Sequence, residues 1–234
     1  MAKTLKIHQI LSELRPSLGA KIDDTVFAAL MMNRAIDFIW DAGDWSFAIA
    51  EIPPFFLVPE ESDYGPPTSA VPSDILLLRE AWIRDVDGVS FKNLAVVRNL
   101  PRVEQTGLLP EVISHEPEIP AFRVSPTPGS SIAATRFQVE GSYKKAHTKI
   151  TPANLTSETV PFDDRHSEVL SEVFLWRAYQ RLQSPAQGQI NFVSGTIQAT
   201  GQAGNVLAAL EKMMQQEGIS NTADLYAPES SLLQ

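Results

Sequence analysis

Residues 33–47, NRAIDFIWDAGDWSF, decide the reading of this chain. Up to Gly43 the apolar residues recur at helical spacing. The stripe predicted from residue 26 onward is Val26, Phe27, Leu30, Met31, Ala35, Phe38 and Ile39, with Asn33, Asp37 and Asp41 on the other side. The run opens after Asp23-Asp24-Thr25, whose side chains suit the positive end of a helix, and Gly43 closes it. Beyond Asp44-Trp45-Ser46-Phe47 the period switches to that of strands. Trp40, Trp45 and Phe47 therefore sit at a handover between helix and sheet. With Phe174 and Trp176 from far along the chain, they are expected to pack where helices meet a β domain rather than to stack on a ligand.

Working outward, residues 4–15 place Leu5, Ile7, His8, Leu11 and Leu14 at near-helical spacing, and Pro16 and Gly19 are expected to stop that helix. From 47 to about 150, frequent prolines and short β-branched or aromatic runs predict a β-rich domain, with Asp87-Gly88 as its strongest hairpin signal. Residues 100–120 have no sustained period and read as a long loop. After Pro161 the helical period returns, capped near Asp163 or Asp164, and is apolar around most of its circumference between Val173 and Tyr179. Residues 187–204 read as a flexible polar connector, 206–217 as a last helix closed by Gly218, and 219–234 as an extended arm.

The fold class expected is α+β. N-terminal helices (1–45) and C-terminal helices (156–218) form one α-helical bundle around an inserted antiparallel β-rich domain (46–155), sandwich-like or barrel-like, with an arm at 219–234.

The chain has 234 residues, 28 acidic and 19 basic side chains, and a net charge of −9. The basic residues are scattered, so the composition argues against a surface that neutralises nucleic-acid phosphates. Cysteine is absent, which leaves no disulfide or thiolate metal site and points to assembly in a reducing cytoplasm. No apolar run reaches membrane-spanning length, and no secretion signal is evident.

Motifs for chemistry are lacking. His8, His115, His147 and His166 fall in four separate regions without ligand spacing. Gly201-Gln202-Ala203-Gly204 is too short for a phosphate loop. The acidic pairs Asp23-Asp24, Glu60-Glu61 and Asp163-Asp164 read as caps or solvated faces rather than as a glycosidase pair. No catalytic residue, cofactor or metal is expected.

Three stretches carry a family resemblance. They are the Trp-x-Phe element at Asp44-Trp45-Ser46-Phe47, the approach to an aliphatic strand through Ala70-Val71-Pro72-Ser73-Asp74-Ile75-Leu76, and the Pro-led late helix from Val160-Pro161-Phe162 to Ala178-Tyr179-Gln180-Arg181. Together they resemble the head-to-tail adaptor proteins of short-tailed bacteriophages, the tubular tail protein A group, over roughly residues 33–217. The N-terminal helix and the stretches at 100–120 and 187–204 have no counterpart there. The resemblance implies a non-enzymatic virion protein that forms a homo-oligomeric ring, twelvefold in that family, beneath the portal. Such a ring joins the portal to the tail tube, nozzle or fibres and lets DNA pass without specific binding. The arm would carry portal-binding residues, for which Leu225, Tyr226, Leu232 and Leu233 are the candidates. Two other readings stand beside it: a carbohydrate- or receptor-binding tail module, marked by an exposed aromatic platform, and an adaptor with cell-wall hydrolase activity.

Overall fold

A computed structural model describes residues 5–66, 69–88, 90–101, 105–193 and 196–218. The fold is α+β, with four α-helices and a strongly curled mixed sheet among the described residues. The chain divides into two compact units. One comprises Met1–Phe47 with Thr148–Gln234, and the other is Ala48–His147.

The helical unit contains α1 (Ile7–Leu18), α2 (Thr25–Asp41), α3 (Ser167–Arg181) and α4 (Gly201–Glu217). α1 runs past Pro16 to Gly19, a turn further than expected. A proline late in a helix removes one backbone hydrogen bond, and burial of Leu14 and Leu18 on the last turns offsets that loss. α2 starts at Asp24, whose carboxylate accepts from the Val26 and Phe27 amides at 3.0 and 3.1 Å. Its buried face is not the expected stripe. Ala28, Ala29, Met31, Met32, Ala35, Ile36, Ile39 and Trp40 are buried, whereas Val26 is 65% exposed and Leu30 41%. Apolar residues surround this helix, so periodicity alone left its rotation open, and three alanines supply the close-packing side. Asn33 is also half-buried, held by the Ile150 backbone at 2.7 and 2.8 Å.

α3 packs against α1, α2 and α4, and none of its residues from 169 to 179 is exposed. Its entry is tied down twice. Asp163 accepts from the Arg165 amide at 3.1 Å, and Asp164 accepts from the Leu5 amide at 3.0 Å. The segment after α3 is not the irregular connector expected. Ile190–Val193 pairs antiparallel with Thr196–Ala199, and α4 begins at Gly201 rather than at 206. The glycines here serve backbone contact: Gly188 has φ of +69°, and a Cβ on it would lie 1.7 Å from the Thr200 carbonyl oxygen. Gly188→Ala is accordingly expected to destabilise the helical unit by more than 2 kcal/mol, about what strained backbone alone costs at such a position, as read by chemical denaturation. Equal midpoints for variant and parent would refute the close approach.

In the other unit the strands are β1 (Ile49–Glu51), β2 (Phe55–Phe56), β3 (Asp63–Tyr64), β4 (Ile75–Asp85), β5 (Phe91–Val96), β6 (Thr106–Gly107), β7 (Val112–Glu116), β8 (Ala121–Ser125), β9 (Thr127–Pro128) and β10 (Phe137–Lys145). The main sheet runs β1-β10-β4-β5-β7-β8-β3, and β2 also pairs with β10; β6 and β9 form a separate pair. β1 and β2 line the same edge of β10, interrupted at Pro53-Pro54, which cannot donate to a ladder. The wholly antiparallel arrangement expected is corrected by β5 with β7 and β6 with β9, both parallel. The stretch 100–120 is likewise not all loop, because β7 crosses it and buries Ile113 beside Val124. Asp87-Gly88 lies in the β4–β5 hairpin, but the loop is wider than two residues, since the Asp85 amide donates to the Ser90 carbonyl at 3.2 Å. The core gathers Ile52, Phe55, Tyr64, Ile83, Phe122, Val139 and their neighbours.

Candidate functional site

The handover aromatics converge within the helical unit. Trp45 is fully buried, and its indole Nε1 donates to the Ile39 carbonyl at 2.5 Å, folding the ring back over the end of α2. Phe47 lies parallel to Trp45 at 6.1 Å between centroids and tilts against Trp40 and Phe162, each at 5.4 Å. Phe174 is fully buried. Trp176 meets Phe38 edge-on at 5.3 Å, and the Arg177 guanidinium lies over both rings at 4.6 and 4.8 Å.

Beside Phe47 is a polar knot that no sequence pattern announced. Glu217 in the last turn of α4 accepts from Ser46 Oγ at 2.6 Å and from Arg165 Nη2 at 2.5 Å, and it lies 2.9 Å from Nε2 of His166. His166 is 1% exposed. Burial pushes the Glu217 carboxyl up, but the hydrogen bonds from Ser46 and His166 and the nearby positive charge of Arg165 and His166 outweigh it, so the carboxyl titrates below its usual range. His166, Arg165 and Ser46 lie 51, 52 and 171 positions from Glu217, which is why spacing carried no signal. Ser46 donates to the carboxylate and not to the imidazole, so the geometry lacks the serine–histidine bond of a nucleophilic triad. It fastens the start of α3, the end of α4 and the segment after α2 to one another.

Two surfaces present chemistry outward. On α2, the exposed Val26 and Leu30 lead along one face to Arg34, which lies close enough to Arg177 on α3 for their charges to repel. Neither arginine has a carboxylate partner among the described residues.

The second surface is the solvent face of the sheet, where register sets two rows of side chains. Phe56, Gln138, Arg84 and Phe91 form one row across β2, β10, β4 and β5, and Glu140, Trp82 and Asn93 form the next. Trp82 Nε1 donates to Glu140 at 3.1 Å; Arg84 donates to Gln138 and pairs with Glu140, both at 2.8 Å. Phe91 is 61% exposed and Phe56 39%.

Among the described residues no three His, Asp or Glu side chains converge as metal ligands, and no helix is long and apolar enough to cross a membrane. His8 meets the Thr156 carbonyl at 3.1 Å, and burial lowers the pKa of His115, which packs against Phe122. The candidate arm residues Leu225, Tyr226, Leu232 and Leu233 lie outside the described residues. A scan of protein-family models and a search of curated proteins each found no match to this chain.

Proposed function

We propose that this chain is a structural subunit of a phage virion, a head-to-tail adaptor. Copies form a ring, dodecameric by the resemblance, that joins the portal to the tail and lines the DNA passage. The observation that carries this reading is the division of the chain. Both ends contribute to one helical unit, and a mixed-sheet unit is inserted between them, the layout implied by the Trp-x-Phe, Pro-x-Asp and late-helix motifs. In this reading the helices form a bundle that serves as ring wall, the sheet unit meets tail components, and residues 219–234 form an arm that binds the portal. The net charge of −9 suits a wall past which DNA phosphates slide without adhering. The subunits assemble in the host cytoplasm.

Negative-stain imaging of the protein mixed with portal rings tests the reading. The expected result is a second ring with a central hole beneath each portal. Bare portals at saturating protein overturn it. Deleting residues 219–234 is expected to abolish this decoration while leaving the thermal unfolding of the remainder in place; normal occupancy by the truncated chain rules out the arm.

A second reading has one observation in its favour, the ordered face around Trp82. Phe56 and Phe91 stand three strand spacings apart, roughly 14 Å, with hydrogen-bonding groups held between them. Aromatic faces flanked by fixed polar groups suit the alternating apolar and hydroxyl surfaces of a glycan. If this is a receptor-binding face, Trp82→Ala with Phe91→Ala abolishes retardation of the protein in gels containing host surface polysaccharide. No retardation of the parent protein eliminates this reading.

A further inference from the structure

The helical unit carries two outward faces with complementary, unsatisfied character. α2 and α4 pack on α3 from different sides. Trp176 and Arg177 meet Phe38 of α2, whereas Glu168 pairs with Lys212 of α4 and Glu172 accepts from Gln202 of α4, so the two helices engage different side chains of α3. The exposed residues of α2 and of α4 thus belong to two different faces of the helical unit.

On the α2 side, Val26 and Leu30 form an exposed apolar pair one turn apart, followed by Arg34 and by Arg177. Arg177 lies flat on Phe38 and Trp176, its Nη1 donating to Gln180 at 3.1 Å, and burial together with the charge of Arg34 holds its pKa below the usual arginine value. Two like charges side by side on a chain of net charge −9 mark a place that an external carboxylate would complete. Asp37, the nearest acid along α2, is engaged by Lys149 at 2.6 Å. On the α4 side, Leu207 is half-buried, Ala208 is exposed, and Glu211 is half-buried with no cation partner among the described residues, while Lys212 is already paired with Glu168. Leu207, Ala208 and Glu211 share one helical face.

We infer that copies of this chain associate head to tail through the helical unit, the α2 face of one copy (Val26, Leu30, Arg34, Arg177) seating on the α4 face of the next (Leu207, Ala208, Glu211). The inference rests on the ring reading and adds to it the two surfaces in contact. Because the two surfaces differ, the contact is heterologous: it repeats from copy to copy rather than stopping at a dimer, and in the ring reading its rotation closes. The occupant of each face is thus a second copy, matched by charge and by the apolar pair beside it.

The chain has no cysteine, so the contact can be read directly by oxidative cross-linking. Leu30→Cys and Ala208→Cys, both at exposed positions, are made singly and together in the full chain and oxidised with copper phenanthroline under assembly conditions. The double variant is expected to give a ladder of covalent multimers on a non-reducing gel, and each single variant none. Arg34→Glu should cut the ladder at least tenfold, and adding Glu211→Arg should restore it. A dimer formed as readily by Leu30→Cys alone means a two-fold face-to-face contact and overturns the inference. Rings seen by electron microscopy without a ladder overturn this contact and leave the ring reading in place. Absence of both ladder and rings overturns both.

Discussion

Replacing Trp45 with alanine is expected to lower the stability of the helical unit by about 3 to 5 kcal/mol, the range for large aromatic deletions in a packed core. The ring has no exposed surface, so its removal leaves a cavity that water gains little by entering. Three elements lose contact together. Phe47 loses its parallel partner at 6.1 Å, Gly43 loses the ring that would lie about 3.1 Å from a Cβ placed there, and Ile39 loses the indole donor on its carbonyl. Ile39 O retains a bond from the Ala42 amide at 3.2 Å, so the missing hydrogen bond is the smaller part, about 1 kcal/mol. Trp45→Phe should therefore fall between parent and alanine variant, nearer the parent. Thermal unfolding followed by near-ultraviolet circular dichroism reads the series, and an alanine variant that melts with the parent shows that Trp45 is not a packing residue.

The same region shows what could be read from residues alone. The end of α2 was legible because Gly43 breaks a helical period and a Trp-x-Phe run with strand character follows it. The rotation of α2 was not, since Val26 and Leu30 are as apolar as Met31 and Ile39; the outward face belongs to the first pair only because Ala28, Ala29 and Ala35 let a neighbour approach the other side. β7 and the pairing of Ile190–Val193 with Thr196–Ala199 escape a sequence reading for another reason. Short strands have little local preference, and their hydrogen bonds come from partners such as Val96 with Ile113, or from a backbone crossing that only Gly188 permits. Gly188 and Gly201 looked like flexible-linker glycines, and they serve instead where two backbones nearly touch. The rows on the sheet face follow from pairing register, which alternation within a single strand does not reveal. The knot around Glu217 was the least legible feature, because each member taken alone is an ordinary polar residue.

That knot gives the second large effect. Glu217→Gln removes the negative charge that faces Arg165 and His166, and at neutral pH it is expected to cost about 2 to 3 kcal/mol. This is below the ~3 to 5 of a fully buried pair, because Arg165 is half-exposed and recovers hydration. The pH dependence follows from the direction of the shift. The carboxyl titrates lower in the folded chain than its ordinary value of 4.5, so the folded state binds fewer protons in that interval than the unfolded chain. Its contribution is thus fully present above about 4.5 and is lost as pH falls through the lower folded value. Asp163, 3.8 Å from Arg165, retains part of the attraction on the guanidinium side in both proteins and so cancels in the comparison. The stability gap between parent and Glu217→Gln, from denaturant titrations at a series of pH values, should be present at pH 7 and narrow progressively below 4.5. A gap that is absent at pH 7 means that the knot contributes no net stability. A gap that stays constant into acid means that packing, and not the charge of Glu217, fastens α4 to the start of α3.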